Sequence, residues 1–320
     1  MMPSDLSAAG RCPGLILLAG PTAVGKSEVA MLLAERWHGE IVSVDSMQVY
    51  RGLDIGTAKP TAAERARIPH HLLDVAEPGE AFDAAKFVTL ARAAVQQIQA
   101  RGRLPILCGG TGLYFKAFLE GLGAAPPSDP ALRAELEATP RPRLLRELAE
   151  RDPVAFARID QQNPRRIIRA IEVIRLTGKP FSSQRAAWKT TDEPRGVARA
   201  SPLLALWRQG ADLRARIDRR VDQMFERGLV AETKQLLPRG LAENKTAMQA
   251  LGYRQVVEYL RGARSLAETI ALVKQRTRHF ARRQITWLRH QLPATWLECQ
   301  PGETAADLAA RLESHFPSGN

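Results

Sequence analysis

The sequence predicts an α/β protein: a parallel sheet core of the P-loop NTPase-like kind, interrupted by a mostly helical insertion domain. Three observations lead there. A short apolar run, Leu15–Ala19, feeds straight into Gly20-Pro21-Thr22-Ala23-Val24-Gly25-Lys26-Ser27, which opens a segment with a helical apolar face. Strand-like and helix-like segments then alternate up to Thr111, as in a parallel sheet with crossover helices. From Pro130 to about Trp188 the pattern is helical, and a strand-like run, Leu203–Trp207, then resumes the core.

Each element has its own signal. Leu15–Ala19 is short and continuous, the pattern of a strand buried on both faces. Val29, Ala30, Leu32, Leu33 and Ala34 give the first helix its apolar side. Glu40–Val44 is a second strand with Asp45 at its end, and Leu104–Cys108 a third, ending in Gly109-Gly110-Thr111. Between them Asp83 caps a helix whose Phe87, Leu90, Ala91, Val95 and Ile98 follow helical spacing. Gly121–Pro130, rich in Gly, Ala and Pro, reads as a boundary, and Pro140, Pro142, Pro153 and Pro164 punctuate the insertion. After Trp207 the pattern reads as helices to about Leu312, broken near Pro238–Lys245. The expected organisation is a flexible tail (1–13), a first core segment (14–120), a helical insertion (121–195), core completion with C-terminal helices (196–315) and a short tail (316–320).

With 45% hydrophobic and 25% charged residues, the composition of this 320-residue chain excludes wholesale disorder. No apolar run approaches the roughly 20 residues of a membrane span, and no secretory signal is expected. Cys12, Cys108 and Cys299 stand singly, so no disulfide framework or zinc finger is expected, and a reducing cytoplasm fits. The net charge is +12 and is concentrated. Gln161–Arg220 holds 14 basic and 5 acidic residues, and Ala271–His290 holds 6 basic and none acidic. Such clustering points to a polyanion partner. In the second stretch Val273, Phe280 and Trp287 repeat every seven residues and are expected to form a buried seam. Lys274, Arg278, Arg282 and Arg289 form a cationic row beside it.

The glycine-rich octapeptide matches the phosphate-binding loop in full. Its backbone N–H groups and the following helix N-terminus suit an anion, Lys26 adds a point charge, and the Ser27 hydroxyl suits Mg²⁺. No acid ends the Leu104–Cys108 strand. The acid stands instead at Asp45, where an open parallel sheet turns its strand ends toward the ligand crevice.

These residues sit in seven ordered blocks: GPTAVGKS (20–27), SVDSMQVYRGLDIGTAKP (43–60), PHHLLD (69–74), GGTGLYFKAFLEGL (109–122), NPRRIIRAIEVI (163–174), LGYRQ (251–255) and RRQITWLR (282–289). Together they resemble the bacterial tRNA dimethylallyltransferases, over nearly the whole chain. The zinc finger of many eukaryotic relatives is absent. The resemblance implies transfer of a dimethylallyl group from dimethylallyl diphosphate to N6 of the tRNA adenine just 3′ of the anticodon, position 37, in tRNAs reading codons that begin with U. It implies Mg²⁺ at Ser27, an anticodon stem-loop as partner, no membrane, and a cytoplasmic monomer. It assigns diphosphate binding to Gly20–Ser27, with Lys26 and an arginine of the R-I-x-x-R pattern, read as Arg216, stabilising the leaving group. Asp45 becomes the general base and Thr111 an active-site threonine. The tRNA-contacting positions implied are Asp45, Ser46, Met47, Gln48, Thr111, Arg133, Arg165, Arg166, Arg169, Gln249, Gly252, Tyr253, Arg254, Arg282, Arg283, Gln284, Trp287 and Arg289.

Three other readings share features with this one. A small-molecule kinase would use the same loop but not the two basic stretches. An isopentenyltransferase acting on free adenine nucleotides would not need the arginine blocks at 165–169 and 282–289. A non-catalytic RNA-binding protein would not need Lys26, Ser27, Asp45 and Thr111 together.

Overall fold

The apolar run at the N-terminus forms β1 (Ile16–Ala19), fully buried at the centre of a six-stranded sheet. The computed structural model describes residues 14–123, 125–184, 202–244 and 246–316. The predicted tail 1–13, the end of the insertion near Trp188 and the boundary at 195 lie outside them. In chain order β1 leads to α1 (Lys26–Arg36), β2 (Gly39–Val44), α2 (Ala62–Arg67), β3 (His70–His71), α3 (Ala84–Ala100), β4 (Leu104–Gly109) and α4 (Gly112–Glu120). Then come α5 (Pro130–Ala138), α6 (Arg141–Arg151), α7 (Pro153–Arg158), α8 (Pro164–Thr177) and α9 (Phe181–Gln184). The chain returns through β5 (Leu203–Trp207), α10 (Gly210–Glu226), α11 (Leu229–Leu236), α12 (Tyr253–Leu260), α13 (Leu266–Gln291), β6 (Ala294–Glu298) and α14 (Ala305–Glu313).

All strand pairs are parallel, in the order β3-β2-β4-β1-β5-β6. Alternate residues of each strand feed opposite cores. Leu17, Val42, Leu107 and Leu203 pack with α3, α4, α12 and the end of α13, while Ile16, Leu18, Ile106 and Leu204 pack with α1 and α14. A sheet covered on both faces needs the continuous apolar strands seen in the sequence. Every β-to-α connection from β1, β2, β4 and β5 leaves at one end of the sheet.

The chain divides into two compact units, Met1–Leu119 with Pro194–Asn320, and Glu120–Glu193. The second unit is helical about Leu136, Leu144, Leu148, Ile167, Ile171 and Ile174. Its prolines do more than punctuate. Pro130, Pro153 and Pro164 each open a helix behind a capping Asp129, Asp152 or Asn163, the position where a missing N–H costs nothing.

Three expectations need correction. The tract read as helical to Leu312 contains the edge strand β6, a five-residue segment without apolar alternation. Phe316, placed in a C-terminal tail, is buried and meets Trp37 edge-on at 5.3 Å. The seven-residue seam also fails at Phe280, which is 37% exposed, because α13 packs on both α10 and α12. Its buried side is instead Thr269, Val273, Thr277, Ala281, Gln284 and Leu288.

Candidate active site

The strand ends converge on a cavity of about 650 Å³ in the first unit. Thr22, Lys26 and Ser27 come from the glycine-rich loop, Asp45–Gln48 from the end of β2, and Gly110 and Thr111 from the end of β4. Gly25 takes φ +108°, a left-handed conformation that glycine adopts at no steric cost, and so turns the loop into α1. Lys26 Nζ folds back onto Pro21 O at 2.7 Å. Desolvation holds its pKa down at about 8, with the like charge of Arg220 adding to the effect. Ser27 is exposed on the first turn of α1 and lines the cavity.

Asp45 divides its work. Oδ1 accepts from Met47 N–H at 2.8 Å and Gln48 N–H at 3.3 Å, capping the turn after β2, and the carboxylate borders the cavity. Thr111 Oγ1 accepts from Ser46 N–H at 3.1 Å, joining the β2 and β4 loops. Its hydroxyl therefore holds the turn that carries Asp45. Gln48 is fixed in turn by Ser43 Oγ at 2.8 Å and by the carbonyls of Thr57 and Ala58. Gln284, from α13, accepts from Thr22 N–H at 2.9 Å and donates to Gly110 O at 2.9 Å.

The arginine facing this constellation is Arg220. It lines the cavity, donates to Thr57 O at 3.4 Å, and is held below its ordinary pKa by desolvation, with Asp45 opposing that effect. Arg216 does not line the cavity; its Nε donates to Ala23 O at 3.0 Å. The two lie one turn apart on α10, so the R-I-x-x-R spacing could not separate them. Cys108, also on the wall, is pushed up to about 11 by burial and stays a thiol.

On α13 the cavity is faced by Arg276, Thr277, His279, Phe280, Arg283 and Gln284. From the sequence Arg283 and Gln284 are expected at the site; Arg276 and His279 are not, and Phe280 is expected in the buried seam. The expected row is largely occupied: Lys274 pairs with Asp222 at 2.7 Å, Arg278 pairs with Asp218, and Arg289 lies over the rings of Trp296 and Trp207. Arg282 is exposed outside the cavity lining, and Trp287 is partly buried against Gly112. Met224, Met248 and Val273 add apolar side chains to the lining, and of the three the sequence marks only Val273, as a seam residue.

Of the LGYRQ block, Arg254 borders the cavity beside Gln249. Tyr253 is fully buried and carries no exposed surface for RNA. Its hydroxyl donates to Glu232 at 2.6 Å and accepts from Gly56 N–H at 3.1 Å, and its ring leaves no room for a side chain at residue 56. Gly252 takes φ +97° ahead of α12. In the second unit Arg165 and Arg166 are exposed at the start of α8. Arg169 and Arg133 turn instead toward the fully buried Glu172, at 2.7 and 3.7 Å. These two arginines neutralise a buried carboxylate while each side chain stays about one-third exposed.

A glycine-rich loop with its lysine, a carboxylate and apolar side chains lining one cavity at the strand ends of a parallel sheet suit a P-loop group-transfer enzyme. The profile of the IPP transferase family matches residues 48–291. The tRNA dimethylallyltransferase of Xanthomonas campestris pv. campestris (strain 8004) is 50% identical over 302 residues, 91% of each chain. That of Anaeromyxobacter sp. (strain Fw109-5) is 48% identical, covering 94% of this chain and 99% of its own. Among solved structures, the full-length tRNA isopentenylpyrophosphate transferase of Bacillus halodurans superposes with a TM-score of 0.66 at 38% identity, covering 95% and 96% of the two chains. A eukaryotic dimethylallyltransferase acting on tRNA gives 0.77 at 27% identity, over 96% and 81%. The chain belongs to the IPP transferase family, whose members are prenyltransferases.

Proposed function

We propose that this chain transfers the dimethylallyl group of dimethylallyl diphosphate to N6 of adenine 37 in tRNA. The observation that carries the reading is that Lys26, Arg220 and Asp45 line one cavity, with both cations within electrostatic reach of the Asp45 carboxylate. The allylic carbon–oxygen bond breaks and a carbon–nitrogen bond forms at N6. The electron pair leaves on diphosphate, stabilised by Lys26, Arg220 and the loop N–H groups. The N6 proton passes to Asp45, which aims the amine through the same contact. The apolar wall of Met224, Met248 and Val273 takes the prenyl chain.

Among the described residues no cluster of three or more His, Cys, Asp or Glu could hold a metal alone. The exposed Ser27 hydroxyl would be this chain's own ligand to a diphosphate-bound Mg²⁺. When bound, that ion neutralises charge on the leaving group. The base reaches the cavity by leaving the anticodon stack, past Phe280, Arg283, Arg276, Gln249 and Arg254. The chain is read as a monomer acting in the cytoplasm. Among the described residues no helix is long and apolar enough to cross a membrane.

Radiolabelled dimethylallyl diphosphate offered with tRNA, with AMP and with no acceptor tests the proposal. Label should appear in tRNA alone. Label in AMP, or ATP consumption without transfer, overturns it.

A further inference from the structure

The outer side of the glycine-rich loop carries two arginines that the transfer mechanism does not use. Arg208 follows β5 and is only 7% exposed; its Nε donates to Val24 O at 2.9 Å. Arg216, on α10, donates from Nε to Ala23 O at 3.0 Å. These are consecutive carbonyls, each met by its own guanidinium. An ideal Cβ built at Gly25 would lie 3.8 Å from an Arg208 nitrogen and 3.9 Å from one of Arg216, so both side chains flank the same turn. Asp212 holds Arg208 in place at 2.9 Å.

Peptide planarity gives this contact a consequence. In a trans peptide the carbonyl of one residue and the N–H of the next point in opposite directions. Pinning the Ala23 and Val24 carbonyls outward therefore aims the N–H groups of Val24 and Gly25 inward. The turn needs such help: Ala23 sits at φ +63° and Gly25 at φ +108°, and a left-handed alanine is a strained conformation. Charge works in the same sense, with a cation at the carbonyl end of each peptide dipole and the anion expected at its N–H end.

We propose that Arg208 and Arg216 are positioning residues that preset the loop's N–H groups for the donor's diphosphate. This rests on the reading that the loop binds that diphosphate. Loss of either arginine releases the turn, so the anion must organise the loop as it binds.

The test is titration of Mg²⁺–pyrophosphate, by calorimetry, into the full chain and into Arg208→Met, Arg216→Met and the double variant. Each single change should weaken pyrophosphate binding by about tenfold and raise the donor KM in parallel, while the KM for tRNA stays put and kcat at saturating donor changes by less than about threefold. The double variant should lose much less than the product of the two, since both residues hold one turn. Arg216→Lys should restore part of the loss. Unchanged pyrophosphate affinity in the single variants, even with a lowered Tm, would overturn the proposal. If Arg208→Met fails to fold, the partly buried Arg216 decides the matter alone. If the unaltered protein does not bind pyrophosphate, the donor-site reading fails instead.

Discussion

Gln284 and Thr22 stand 262 residues apart in the chain and 2.9 Å apart in the structure, with the Gln284 side-chain oxygen accepting from the Thr22 backbone. The same amide donates to Gly110 O, so one side chain fastens the glycine-rich loop and the β4 loop to α13. Gln284→Leu would leave both backbone groups without this partner. Each such loss costs about 1–3 kcal/mol where water cannot reach. A lowered Tm and a raised donor KM are expected, by thermal melts and steady-state kinetics. A Tm and KM equal to those of the unaltered protein would show the tether to be incidental.

Asp45 both caps a turn and faces the cavity, and the two roles can be separated. Asp45→Asn keeps an oxygen for the Met47 and Gln48 N–H groups but cannot take a proton. Transfer should fall by roughly 10²–10⁴ while Tm and pyrophosphate affinity hold. Asp45→Ala should lose the same rate and also some stability. Near-normal turnover in the Asn variant would confine Asp45 to capping.

Arg220→Ala should lower kcat by about 10²–10³, the scale of one preorganised charge facing the departing oxygen. Its neighbour one turn away supplies the contrast, since Arg216 contacts the loop's backbone. Comparison of kcat and donor KM for the two variants checks the assignment. Equal effects on both parameters would mean that the residues are not distinguished by function.

The depressed pKa of Lys26, about 8 against an ordinary 10.5, makes a prediction with a definite sign. Only the ammonium form attracts the diphosphate, so kcat/KM for the donor should fall as pH rises through about 8. Stability runs the other way. Between about 8 and 10.5 the unfolded chain holds more protons than the folded one, so ligand-free stability gains from this group as pH rises across that window. Pyrophosphate should raise Tm most below pH 8. A Tm increment independent of pH would remove Lys26 as its origin.

Phe280, 37% exposed on the cavity wall with the Arg283 guanidinium 5.9 Å from its ring centre, is placed to stack a base. Removing such a stack costs about 1–3 kcal/mol of binding. Phe280→Ala should raise the KM for tRNA and leave the donor KM alone, and Phe280→Tyr should behave normally. If Phe280→Ala instead altered only Tm, the ring would belong to packing.

The parts of the site that lie in one stretch of chain could be read before the structure. The glycine-rich loop is eight consecutive residues after a strand, and Asp45 and Thr111 follow strands of clear pattern. What escaped depends on which neighbours a helix acquires. Arg216 and Arg220 share a face of α10, and only the position of the loop sends one to its backbone and the other to the cavity. α13 touches two helices, so its buried side runs through Thr269, Thr277 and Gln284, which no apolar periodicity reveals. Phe280 was consequently assigned inward and the cationic row outward, although Lys274 and Arg278 are bound to acids of α10. Tyr253 looked like a surface residue of a motif because its partners, Gly56 and Glu232, lie far away in sequence.

Because β1 lies between β4 and β5, its two edges are satisfied at very different times during synthesis. One edge can pair once residue 109 has left the ribosome, but the other waits for residues 203–207, after the whole helical unit has been made. At translation speeds of about 5–20 residues per second the central strand stays exposed on that side for several seconds. A bare, fully apolar edge is a template for pairing between chains. Nascent chains stalled before residue 203 should therefore aggregate or engage chaperones, and those stalled after β5 has emerged should not.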